Sequence, residues 1–225
     1  MMTSEIDPCA LALQSLREEL NGMQRLKYPS LLTVWANIHD PRSDTLYLLL
    51  PFAGPVVPLR SLIADHATMT PLLRLKVALD VADGLRHLAH FNLALGNLCL
   101  DNVYVVSRDC AALGHDAAGA ATNAVIADIG HVGSLFVTRL NEFQHDTIPF
   151  WAPELISFER AVNPVVHLDE KLPRSDVFSF GLVLYALLAG AVPYMNGWGR
   201  EWNSIDELIR LIVRTHYRPD LARVA

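Results

Sequence analysis

Leu95-Gly96-Asn97-Leu98-Cys99-Leu100-Asp101-Asn102-Val103 is the stretch from which the rest of the chain is read. Its last three residues enter a strand-like run, Val103 to Val106, and a second such run, Ala124 to Ala127, leads into Asp128-Ile129-Gly130. Trp151-Ala152-Pro153-Glu154 follows, and then Ser175-Asp176-Val177-Phe178-Ser179-Phe180-Gly181. Each motif alone is common; an Asp-x-Gly most often marks a turn. The information lies in their order and in their placement at the ends of predicted elements.

Working outward, Ala10 to Leu26 reads as a helix with Leu13, Leu16, Leu20 and Met23 on one stripe, stopped by Pro29. Leu31 to Ile38 and Thr45 to Phe52 are strand-like and joined by a polar turn, His39 to Asp44, which predicts a hairpin. Ala53-Gly54-Pro55 reads as a linker, after which the chain turns mostly helical. Leu59 to Ala64 is a short helix. Thr70-Pro71 starts a long one, with Thr as N-cap, Pro at the first helical position, and Leu72, Leu75, Leu79, Ala82, Leu85 and Leu88 as its apolar stripe. The Ala/Gly-rich stretch Cys110 to Asn123 is a loop between two strands. Ser175-Asp176 caps an apolar helix over Val177 to Ala189, and Ile205 to Val213 is a last amphipathic helix before Tyr217-Arg218-Pro219-Asp220-Leu221. Trp198 and Trp202 are either an exposed binding feature or, as such a pair more often does, pack a loop onto a helix. The class is α+β.

Of 225 residues, 52% are hydrophobic and 19% charged, enough for a core and too apolar for a disordered chain. A net charge of −6 opposes a general nucleic-acid surface. Cys9, Cys99 and Cys110 contain no close pair, which opposes a disulfide framework or a four-ligand zinc site. No basic stretch followed by an apolar run opens the chain, so a cytoplasmic setting is expected. The uncharged run Val177 to Gly199 is broken by glycines and Pro193, and reads as a core helix and loop rather than a membrane span.

In this order the motifs resemble the C-terminal lobe of a protein kinase, most closely the tyrosine-kinase-like branch. The resemblance implies a mostly helical C-terminal lobe over 53–225, ending before the last helices. It also implies a partial small lobe over 1–52, made of one helix and a β-hairpin. Position by position, Asp128 and Asn102 match the two ligands of magnesium. Leu50 matches the gatekeeper, the Ala53 N–H matches the adenine-binding hinge, and Tyr104 falls on the pocket floor, where it either crowds adenine or fills space. Met23, Val34, Ile129 and Leu95 match an apolar column resting on Asp176. Glu19 matches the small-lobe helix Glu, yet no strand carrying its Lys partner and no Gly-rich loop precedes it. Glu154 matches a Glu that normally pairs with an Arg in a late helix. Here Arg160 or Arg174 substitutes, or the chain is shortened at both ends.

The same resemblance exposes losses. Asn97 stands where the catalytic Asp belongs, and an amide has no proton-accepting form near neutral pH. A lost general base costs about 10²–10⁴-fold. Cys99 replaces a phosphate-contacting Lys and Gly96 replaces an Arg that would pair with a phosphorylated activation segment. The expected function is a catalytically impaired pseudokinase that binds or regulates a protein partner. The alternatives are a weakly active protein kinase and a piece of a longer kinase-like protein. Asp128 and Asn102 favour Mg-ATP; the absent Gly-rich loop, the absent Lys and Tyr104 oppose tight binding of it.

Overall fold

The computed structural model describes residues 26–40, 42–43, 45–50, 56–66, 68–107, 122–127, 147–159, 168–196, 199–200 and 202–224. The helix expected over 10–26 (Leu26 apart), the linker 53–55 with the expected lobe boundary, and most of the Ala/Gly-rich loop lie outside them.

Strands β1 (Ala36–Asp40) and β2 (Thr45–Leu49) form an antiparallel hairpin in which Ala36 faces Leu49 and Ile38 faces Tyr47. Pairing runs through Asp40, two residues beyond the expected end, because Asp40 itself makes the turn. Its carboxylate accepts from the Arg42 N–H at 2.9 Å and the Ser43 hydroxyl at 3.0 Å. Leu31 belongs elsewhere: the Leu32 N–H donates to the Ile126 carbonyl at 2.8 Å and the Ile126 N–H to that of Ser30 at 2.9 Å.

The second sheet has the order β3-β4-β5, all antiparallel: β3 (Val56–Pro58), β4 (Val103–Ser107) and β5 (Thr122–Ile126). β3 was not legible in the sequence. It is three residues long and ends in proline, which a sheet accepts only at an edge. The short helix α1 (Leu59–Leu62) follows directly.

Helix α2 (Pro71–His90) starts as expected, with Thr70 Oγ1 accepting the Leu73 N–H at 3.3 Å. Its buried face differs from the expected stripe. Val77, Val81, Gly84 and Leu88 are buried, whereas Leu72, Leu75 and Leu79 are 60%, 56% and 67% exposed. The helix is apolar on two faces, and only close fit selects the one with β-branched side chains and glycine. A Cβ on Gly84 would lie 2.9 Å from Ile126 Cδ1 and 3.2 Å from the Ser30 carbonyl oxygen. Lys76 reinforces this contact: its ammonium meets both Asp80 oxygens (2.7 and 2.6 Å), and Asp80 accepts the Ala124 N–H of β5 at 2.9 Å.

The polypeptide then forms a 3-10 turn (Ile148–Phe150), α3 (Pro153–Glu159), α4 (Leu168–Ala189) and α5 (Ile205–Arg214). α4 begins well before Val177, so Ser175 and Asp176 lie inside it and are not its caps. A two-residue ribbon, β6 (Met195–Asn196) with β7 (Gly199–Arg200), precedes a buried Trp202; Trp198 lies outside the described residues. Arg74, near the start of α2, is buried against the end of α4. Its guanidinium donates to the carbonyls of Met69 (2.7 Å), Ile63 (3.3 Å) and Leu187, and lies 3.2 Å from His66 Nδ1. Among the described residues no helix is long and apolar enough to cross a membrane.

Candidate functional site

The loop between α2 and β4 is drawn into the core by alternating apolar residues: Leu95, Leu98 and Leu100 are fully buried and Cys99 nearly so. Packing alone would not place its backbone. Asp176 of α4 does: one carboxylate oxygen accepts the Leu95 N–H at 2.7 Å and the other the Gly96 N–H at 2.8 Å. Gly96 has φ +79°, which glycine takes without strain, and this bend leads into Asn97. Asp176 is 4% exposed. Burial pushes its carboxyl up to about 6, while the N–H groups of Gly96 and Leu95 pull it down.

Asn97 is 5% exposed. Its carbonyl oxygen accepts from Asn102 Nδ2 at 3.0 Å, so the two ends of the loop are tied together. That bond uses the amide nitrogen of Asn102; its oxygen is the atom of metal-ligating type. The main chain of Asn102 also accepts the Ala127 N–H at 2.7 Å, which brings the end of β5 beside the loop. Cys99 faces inward, and burial pushes its thiol up to about 11, leaving it a protonated packing group at neutral pH.

Two contacts here were not anticipated. Arg60 of α1 donates through Nε to both oxygens of Asp101, at 2.7 and 2.8 Å, and its main chain N–H donates to Leu100 O at 3.3 Å. No local signal connects residues 41 positions apart. Ser175 donates to Glu154 Oε1 at 3.1 Å. Among the described residues this hydroxyl, and not an arginine, meets Glu154; Arg174 is exposed, and Arg160 lies outside the described residues. α4 thus reaches α3 through Ser175 and the loop through Asp176.

Of the other expected site residues, Val34 is buried in the same core as Leu95, and Tyr104 is half-buried between Pro58 and Val125 in the sheet. Glu19, Met23, Ala53, Asp128 and Ile129 lie outside the described residues. The described geometry therefore brings together Leu95, Asn97, Asn102 and Asp176.

A sheet, a long helix, a buried and largely apolar loop, and a second long helix that clamps that loop through Asp176 match the large lobe of a kinase. The family model for protein tyrosine and serine/threonine kinases matches residues 6–215, and the chain belongs to that family. It is 24% identical over 198 residues to the serine/threonine-protein kinase TOS3 of Saccharomyces cerevisiae, in strains YJM789 and S288c alike, over 83% of this chain and 33% of the relative. It thus spans about a third of the length of these curated relatives. A crystal structure of the Rad53 kinase domain and SCD2 has the same fold, with a TM-score of 0.60 and 17% identity, over 91% of this chain and 62% of that one.

Proposed function

We propose that this chain is a kinase-family module with little or no phosphoryl transfer, a pseudokinase that binds or regulates a protein partner. The observation that supports this best is Asn97. The loop around it is held as a working loop would be, by Asp176 at one end and Asn102 at the other, yet the side chain at the expected base position is an amide. The chemistry fails through the side chains the loop presents rather than through collapse of the loop. The inward-facing Cys99 supports the same reading, since no cation stands at that position to neutralise charge on a transferring group. Exposed apolar residues on the hairpin, Trp35, Ile38, Tyr47 and Leu49, support a role in binding. The net charge of −6 supports a protein rather than a nucleic-acid partner.

Asn102 and Asp128 are the residues that would hold Mg²⁺ with ATP, which would supply the phosphoryl group. Their side chains suit a hard cation. They are also what favours the second reading, a weakly active protein kinase. Because the chain spans about a third of its curated relatives, the activity and partners of any longer protein belong to this proposal as well.

Transfer of radiolabelled phosphate to a generic protein substrate separates the readings. The wild type and Asp128→Ala are expected at equal background. Asn97→Asp is expected to recover little, because Gly96 and Cys99 are unchanged. Wild-type transfer that Asp128→Ala abolishes would overturn the pseudokinase reading in favour of the weak kinase.

A further inference from the structure

We propose that protonation of Asp176 releases one of its two holds on the loop over residues 93–102, making that loop's anchorage a function of pH. This goes beyond the proposed function, since it holds whether or not the loop catalyses.

The geometry carries the inference. A carboxylate offers an acceptor oxygen to each of two N–H groups at once, and here the two are consecutive in the chain, Leu95 and Gly96. A neutral carboxyl group keeps one carbonyl acceptor; its other oxygen becomes a donor and loses much of its strength as an acceptor. The Leu95 or Gly96 N–H then gives up a charge-assisted bond at the residue that bends the chain into Asn97.

The surroundings make that titration accessible. Among the described residues no cation pairs with Asp176; its partners are main-chain groups. Arg86 of α2 lies along the same groove, with its guanidinium committed to Asp83 at 2.7 Å. On α4, Arg174 is exposed and Ser175 is turned to Glu154 of α3. Arg218 from beyond α5 sits over the Phe178 ring, 4.9 Å from its centroid. Asp176 also lines a half-open groove of about 280 Å³ between α2 and α4, walled by Ala82, Leu85, Leu93 and Phe180, which gives water a route to it. Burial pushing the carboxyl up to about 6 puts the change just below neutrality.

Amide hydrogen exchange on the full chain tests this. Protection of Leu95 and Gly96 is compared at pH 7.5 and 5.5, corrected for intrinsic exchange and referenced to Val81 and Leu88 in α2. Protection of the loop amides is expected to fall about fivefold relative to the helix, the usual gap between bonds to charged and to neutral acceptors. Asp176→Asn, which is always neutral, is expected to show the weaker protection already at pH 7.5, with no further fall. Unchanged wild-type protection at pH 5.5 overturns the proposal, as does an Asp176→Asn chain that keeps the full pH dependence. Should that variant fail to fold, the wild-type series alone decides.

Discussion

Asp176 shows how one residue can act on two scales with opposite signs. Its carboxyl titrates at about 6 in the fold against an ordinary value of 3.8. Between those values the Asp176 site holds more protons in the folded chain than in the unfolded one, so the contribution of this residue to stability falls as pH rises from about 4 to about 6. The full difference approaches about 3 kcal/mol. Urea midpoints at pH 4.5 and 7 should show the wild type losing stability relative to Asp176→Asn as pH rises; a difference between the two that does not change with pH would contradict it. Through Asp176, acid thus favours folding while loosening the loop that the residue holds. At this scale the nearness of three candidate residues was legible. Asn97, Asn102 and Asp176 were found from motif order, and the structure places all three in or against one buried loop. Arg60 was not found, because its partner Asp101 is distant in sequence and a surface-type pair leaves no periodic trace. Glu154 was read as meeting Arg160 or Arg174, or as left by a shortened chain. Among the described residues the Ser175 hydroxyl meets this half-buried carboxylate, and Arg160 lies outside them.

Elements were legible where sequence periodicity and caps agreed, and less so where fit decided. α5 was read almost to the residue from its amphipathic pattern, and the structure adds a cap, the Ser204 hydroxyl accepting the Glu207 N–H at 3.2 Å. α2 was located but its first half was turned the wrong way: Leu72, Leu75 and Leu79 are exposed while Val77 and Val81 are buried, whereas Leu88 near its end is buried as expected. Gly84 fixes that orientation, and Gly84→Val tests it. Valine removes a residue that disfavours helix, yet its side chain must enter space held by Ile126, Leu31 and the Ser30 carbonyl. A net loss of about 2 kcal/mol is expected by urea denaturation, overpacking exceeding the propensity gain. A gain would show that α2 is not pressed to the sheet there. β3 and the β6–β7 ribbon escaped notice because two or three residues cannot display a period of two.

For the molecule as a whole, the α+β kinase class was readable from the motif order. Which apolar surfaces lie outside was not. Leu79→Glu should leave the urea midpoint within about 0.5 kcal/mol of the wild type and delay aggregation on heating. A loss of 2 kcal/mol or more would mean that Leu79 is covered. Arg74→Met should cost about 3 kcal/mol, because the carbonyls of Met69, Ile63 and Leu187 lose their donors together. A near-neutral result would show that the guanidinium merely fills space. The same contact has a consequence for biosynthesis. Arg74 and the Leu187 carbonyl are 113 positions apart. A ribosome adding about 5–20 residues per second would take roughly 6–23 s to supply the second after the first. During that interval the N-terminal end of α2 stands in water with its cation hydrated. Nascent chains stalled short of Leu187 should therefore be open to a protease near residues 63–74, and chains stalled well beyond it should be closed there.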